Sequence, residues 1–347
     1  MSQQFFLSIV VPFYNSVGKC EDLLGILAEL RPEDSVELIL VDDASSDATV
    51  EMLREFARDA PVPTEVLQIP HGGAGAARNA GMDHSRGEFV WFVDSDDVID
   101  PQAIRMADRS KCRSVDVVVW NYDYPLYKVD RFPAGIHVID HRPGPSFSPV
   151  MACWVSSEFL RRTGIRAPGR CYFEDELVSN FLLPMFVRKF LMIDFNAYGF
   201  RFSEGSMSRG VSQATASWSD RLWSARLGMM YVDQQSLDAA GRREAEARFT
   251  NVFLWYTVKL SKLPGAAWLH AMRVMRQYRE DSKRFRMTIR PLSIYPGRWH
   301  SRLVAHLLWS LSALLPAQHG YFAELRKELW DGDVDWQWPI AAPPTGA

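Results

Sequence analysis

Apolar runs and helix-spaced apolar stripes alternate along the first hundred residues. Phe6 to Val11 is a short, β-branched-rich run that stops at Pro12, which predicts a buried strand ending there. Leu23, Leu24, Leu27, Ala28 and Leu30 then recur at helical spacing, and Arg31-Pro32 closes that helix. Val36 to Val41 reads as a second strand, followed by a helix over Ala48 to Ala60 with Asp47 as its N-cap. Val66 to Ile69 is a third strand candidate, and Phe89 to Val93 gives the central one. Strands alternating with helices imply a parallel sheet, whose ligands sit outside the carboxyl ends of the strands.

Those ends carry acid. Phe89–Val93 breaks off into Asp94-Ser95-Asp96-Asp97, three carboxylates within four residues. In extended backbone Asp94 and Asp96 face the same side, and hard oxygen ligands of this kind suit Mg²⁺ or Mn²⁺ bridging a substrate diphosphate. A solvated turn with Asp97 as a helix cap accounts for the same residues without a ligand. The second strand also stops in Asp42-Asp43, and Pro12-Phe13-Tyr14-Asn15 falls on the same edge. Between His71 and Gly81 the chain strings small residues together; the glycines read as close packing and Arg78 as a ligand contact.

Further on, Val115 to Trp120 and Leu191 to Phe195 predict strands, and Phe132 to Pro149 reads either as a loop near an acceptor or as a plain surface connection. Glu174 and Asp175 open an apolar-periodic helix continuing through Phe181-Leu182-Leu183, where acids are commonly only partners of the helix dipole. From Trp218 the character changes: Trp218, Leu222, Ala225 and Met229, then Phe253, Leu254, Tyr256, Thr257 and Leu260, follow helical spacing without catalytic-looking clusters. Nine basic residues between Arg273 and Arg302 face only Glu280 and Asp281, and the apolar stretch Leu303 to Leu315 follows. That segment, 273–315, suits peripheral contact with a membrane surface, or a solvated basic helix beside a core helix. The expected organisation is a domain over 1–215, with halves 1–110 and 111–215, a helical region over 216–340 and a disordered tail over 341–347.

At 347 residues, 47% hydrophobic and 23% charged, the chain has the make-up of an ordinary globular protein with room for two domains. A net charge of −3 gives no ground for a nucleic-acid partner. Four cysteines scattered without CxxC spacing argue against zinc or a disulfide framework and for a reducing compartment. There is no basic leader before the first strand and no apolar stretch long enough to span a bilayer. The expected location is cytoplasmic, with peripheral contact at the inner face of the membrane as the alternative.

Four ordered signatures complete the picture: Ser8-Ile9-Val10-Val11-Pro12-Phe13-Tyr14-Asn15, Val41-Asp42-Asp43-Ala44-Ser45-Ser46-Asp47, Ala77-Arg78-Asn79-Ala80-Gly81 and Asp94-Ser95-Asp96-Asp97. Together they resemble the family 2 glycosyltransferases of the GT-A fold, with His71 standing where the family usually has Asn. The resemblance implies an α/β, Rossmann-like mixed sheet flanked by helices, with a C-terminal helical appendage. It further implies that Pro12, Phe13, Tyr14 and Asn15 pack around a nucleotide base. Asp43 would accept the base's imide N–H, with Arg78 close by, which favours a uridine diphosphate sugar. Asp94 and Ser95 would serve the ribose, Asp96 the Mn²⁺ or Mg²⁺ ion, and Asp97 the donor sugar. Met151 to Gly164 resembles the family's Trp-containing strand leading into a helix such as Glu158 to Arg162, and Glu174-Asp175 resembles its Glu-Asp motif. Asp175, or secondarily Glu174, would then be the general base that deprotonates a hydroxyl of a glycan or lipid-linked acceptor. A base opposite the leaving group means one displacement with inversion. Tyr198-Gly199-Phe200-Arg201-Phe202 followed by Ser206-Met207-Ser208-Arg209 resembles the family's flexible segment that closes over the diphosphate, with Arg201, Ser206, Ser208 and Arg209 as its clamp.

Two other classes compete. Asp94-Ser95-Asp96-Asp97-Val98 fits the nucleophile pattern of haloacid dehalogenase-type phosphohydrolases, but that motif follows the first strand of its fold and here it follows the fourth. A catalytically degenerate glycosyltransferase-like scaffold is the non-enzyme alternative, against which the intact Asp43, Asp94, Asp96 and Asp175 argue. Walker and GxGxxG loops are absent.

Overall fold

In the computed structural model the described residues are 5–123, 133–138, 149–168, 178 and 182–201, with scattered residues between 227 and 314. The chain divides into two compact units, one running to Glu204 and the other from Gly205 to Trp338.

The first unit is built on a mixed nine-stranded sheet in the order β3-β2-β1-β4-β8-β6-β9-β5, with β7 lying along β9. The strands are β1 (Phe5–Phe13), β2 (Val36–Asp42), β3 (Thr64–Gln68), β4 (Gly87–Phe92), β5 (Val98–Ile99), β6 (Val117–Asp123), β7 (Gly135–Val138), β8 (Cys153–Ser156) and β9 (Lys189–Gly199). Helices α1 (Glu21–Leu27), α2 (Thr49–Asp59) and α3 (Ala74–His84) connect the first four strands, which run parallel. Short helices α4 (Gln102–Met106), α5 (Arg109–Cys112), α6 (Ser157–Thr163) and α7 (Leu183–Phe186) follow. β8 enters antiparallel between β4 and β6, which makes the sheet mixed rather than wholly parallel.

Every residue of β1 and β2 is buried, as expected of strands covered on both faces. Pro12 does not end β1, contrary to the sequence expectation: the strand continues through Phe13. Val10 faces β4, since its carbonyl accepts from Val93 N–H, so by alternation Pro12 faces that side too. The β1–β4 pairing has already stopped at Val10 and Phe92, and the missing proline N–H leaves no gap in the ladder. β7 is a second correction, because it lies in the stretch read as a loop. Four residues are too few for a convincing alternation, and pairing with β9 decides the matter.

α3 lies directly on β1. A Cβ on Gly81 would come 2.2 Å from Val10 Cγ1, so glycine here serves close packing, as the sequence suggested. Between β4, β8 and β6 the core is filled by Trp91, Trp154 and Trp120, with Trp154 tilted against the other two at 5.6 and 4.7 Å. Trp91 Nε1 donates to the Met151 carbonyl at 2.6 Å. In the second unit the described residues are helical over 227–233 and in short pieces between 239 and 283, burying Leu227, Met229, Tyr231, Val232, Phe249, Met272 and Met275. Among the described residues no helix is long and apolar enough to cross a membrane.

Candidate functional site

The sheet order places the switch point beside β1: chain order runs outward to β2 and β3 on one side and passes to β4 on the other. Ligands of open α/β sheets bind at the carboxyl ends of strands flanking such a point. Here those ends are Tyr14-Asn15 after β1, Asp43 after β2 and Asp94–Asp97 after β4.

Side chains zip the first two ends together. Asn15 adopts a φ of +48°, a region asparagine enters more readily than most residues. Its N–H donates to Ser45 Oγ and its Oδ1 accepts from Ser46 N–H, both at 2.9 Å. Ser16 N–H donates to Thr49 Oγ1 at 2.9 Å. Asp47 accepts from Thr49 N–H at 3.1 Å, supporting the start of α2 from one position before its N-cap, Ala48. Pro12 and Phe13 are buried within β1, so of this loop Tyr14 alone, 50% exposed, offers a ring face to a ligand.

Asp43 is buried and committed. Its Oδ1 accepts from Gly72 N–H at 2.7 Å, its Oδ2 from Gly73 N–H at 2.8 Å, and His71 Nδ1 stands 3.0 Å from Oδ2. Gly73, at φ +82°, turns the chain so that both backbone donors converge on the carboxylate. The His71 ring stacks on Tyr14 at 4.7 Å. Asp43 thus organises the loop before α3, a role the sequence did not disclose, and His71 occupies the family's usual Asn position as both a stacking and a polar partner.

Arg78, buried in the first turns of α3, forms an ion pair with Asp94 Oδ1. The residues after Asp94 fold into a tight turn in which Asp97 N–H donates to the Asp94 carbonyl at 3.2 Å. Ser95 Oγ lies 3.4 Å from Ser16 Oγ, and Asp96 is partly exposed within the turn. The Asp97 side chain is buried and held on both oxygens, by Tyr198 Oη–H at 2.5 Å and Arg201 N–H at 2.8 Å, so it braces the turn from within. Burial, then the nearby Asp94 carboxylate, push the Asp97 carboxyl up to about 8.

Arg201 contributes its backbone here, while its side chain pairs with Asp22 of α1 at 3.3 Å. Glu174, Asp175, Ser206, Ser208 and Arg209 lie outside the described residues. Among the described residues no group of three or more His, Cys, Asp or Glu is set to hold a metal. The hard carboxylates of the turn nevertheless fit Mg²⁺ or Mn²⁺ of the kind bound through one or two carboxylates, with substrate phosphates and water completing the shell.

Such a sheet, with a base-sized aromatic platform and a carboxylate turn gathered at the switch point, has the architecture of the GT-A nucleotide-sugar transferases. The chain belongs to glycosyltransferase family 2: the model of that family, Glycosyl transferase family 2, matches residues 8–196, more than half of the chain. It is 36% identical over 101 residues to the poly(ribitol-phosphate) β-N-acetylglucosaminyltransferase TarS of Staphylococcus aureus, covering 29% of this chain and 18% of the relative. It is 33% identical over 118 residues to a poly(ribitol-phosphate) β-glucosyltransferase of Bacillus spizizenii, covering 33% and 18%. The match therefore spans less than a fifth of the length of these relatives. In three dimensions it is similar to S. aureus TarS 1-349 in complex with UDP-GlcNAc, at a TM-score of 0.64, 20% identity and coverage of 93% of this chain and 91% of that one.

Proposed function

We propose that the protein transfers a sugar from a uridine diphosphate sugar to a hydroxyl of a glycan or lipid-linked acceptor, with inversion, in the synthesis of a bacterial surface polysaccharide. The observation that carries this reading is the convergence of Tyr14, Asp43, Arg78 and the Asp94–Asp97 turn at one end of the sheet. The names of the relatives above support a hexosyl or N-acetylhexosaminyl donor, and the bound UDP-GlcNAc of the TarS structure supports uridine.

Tyr14 stacks on the base, and the Asp43-organised loop frames it. Asp94, held by Arg78, faces the ribose. Asp96 would hold Mn²⁺ or Mg²⁺ against the diphosphate, where the ion supplies charge neutralisation for the departing group. Asp175, with Glu174 as second choice, takes the proton from the acceptor hydroxyl as that oxygen attacks the anomeric carbon and the nucleoside diphosphate leaves. The basic and apolar segment 273–315 suits contact with the membrane surface that would carry a lipid-linked acceptor.

The deciding experiment is calorimetric titration with UDP, with and without Mn²⁺, on wild type and Asp96→Ala. Metal-enhanced binding lost in the variant is expected. Absence of binding to UDP and to other nucleoside diphosphates, with both proteins folded, would overturn the reading in favour of the scaffold alternative.

A further inference from the structure

Tyr198 sits at the end of β9, 101 residues from Asp97 in sequence, and its hydroxyl holds both ends of the carboxylate turn. It accepts from Asp94 N–H at 3.2 Å and donates to Asp97 Oδ2 at 2.5 Å. One donor and one lone pair therefore close a bridge across residues 94 to 97, with Asp96 between them. The turn's own bond, Asp97 N–H to the Asp94 carbonyl, runs alongside, and Arg201 N–H caps the remaining Asp97 oxygen.

The bridge is rigid because its anchor is. Tyr198 is buried and stands opposite Ile99 of β5 and Tyr122 of β6, so neighbouring strands on both sides fix its backbone. Its ring is tilted against Phe200 at 5.0 Å. Asp100 N–H donates to the Ala197 carbonyl at 3.0 Å, so the chain on the far side of the turn is pinned to the same strand. Burial raises the phenol far above its ordinary range, which keeps the bridging proton in place.

We propose that Tyr198 is a positioning residue for the cation and diphosphate site: through Asp94 N–H and the Asp97 carboxyl it sets the placement of Asp96. This inference rests on the nucleotide-diphosphate reading of the site. Groups that orient ligating side chains from behind typically change metal affinity by about 10- to 100-fold when removed. Here Asp97 and Tyr198 act on the turn that carries Asp96 rather than on its carboxylate directly.

The test is Tyr198→Phe, which removes the hydroxyl and keeps the ring. UDP binding is titrated against Mn²⁺ concentration, with UDP affinity in chelator as the control. The expected result is a Mn²⁺ midpoint raised about 10- to 100-fold, well beyond any change in UDP affinity measured in chelator, whereas general loosening of the fold would weaken both alike. Wild type showing no Mn²⁺-dependent UDP binding would count against the functional reading itself. Wild type showing it, with Tyr198→Phe at the same Mn²⁺ midpoint, would overturn the role of Tyr198 alone. If Tyr198→Phe does not fold, Asp97→Ala removes the same bridge from its other end; a raised midpoint supports the inference and an unchanged one refutes it.

Discussion

Asp43 separates two accounts of the base site, and Asp43→Asn tells them apart. The carboxylate spends Oδ1 on Gly72 N–H and Oδ2 on Gly73 N–H, with His71 Nδ1 sharing Oδ2. An asparagine offers one acceptor and one donor group, so in either orientation a backbone N–H meets an NH₂. The Gly73 bond is the buried one and the Gly72 bond is partly accessible, so the amide oxygen should turn to Gly73 and leave Gly72 N–H to water. The variant then loses one charge-assisted hydrogen bond, worth about 1.5–3 kcal/mol, and leaves a partly buried donor poorly paired, at about 1 kcal/mol more. With some relaxation of the loop we expect a loss of about 2–4 kcal/mol in urea unfolding.

UDP affinity should fall with it, because the loop carries His71 against Tyr14 and leads into the helix that bears Arg78. The asparagine oxygen can still accept an imide N–H, so a carboxylate that acted only as base acceptor would keep its stability and most of its UDP affinity. Stability within about 0.5 kcal/mol of wild type, the range of an ordinary surface substitution, would refute the reasoning.

Asp97 predicts a pH dependence in metal-free protein. Its carboxyl keeps a proton up to about pH 8 when folded and releases it near 4 when unfolded, so its contribution is complete below 4 and is lost as pH rises to 8. The unfolding free energy of wild type minus that of Asp97→Asn should therefore fall steadily as pH rises across that window, and a flat difference would refute it. Tyr14→Ala should weaken UDP binding by about 1–3 kcal/mol through lost stacking, read by calorimetry, with little change in unfolding midpoint because the ring is half exposed. Gly81→Ala should destabilise by about 1–3 kcal/mol, since its methyl group must displace Val10; a urea midpoint equal to wild type would count against the close approach of α3 to β1.

What could be read from the sequence follows the range of the interactions. β1, β2 and β4 were legible because strands buried on both faces must be continuous apolar runs, and the residues where such runs break mark the edge at which a ligand can sit. Asp94 to Asp97 and Tyr14 announced themselves in that way. Pro12 misled because its cost depends on which neighbour its absent N–H would face, and that is settled by where β4 stops. β7 was invisible for the same reason: its four residues acquire a strand's conformation from β9.

The site divides along the same line. That Asp97 belongs to the carboxylate turn is local information, but whether it faces a sugar or the interior depends on Tyr198 and Arg201, more than a hundred residues downstream. The stretch from Tyr198 to Phe202 resembles a closing segment, but nothing in it marks the tyrosine as a brace, because a buried aromatic at a strand end is ordinary core until a hydroxyl partner is seen. Likewise His71 could be noticed only as a departure from the usual Asn, and its stacking on Tyr14 needed the loops after β1 and β2 to be brought side by side. A carboxylate cluster read from sequence thus gives the charge available to a cation. The division of labour within it, with Asp96 toward the solvent edge and Asp97 turned inward as a brace, is decided by the strand that crosses behind.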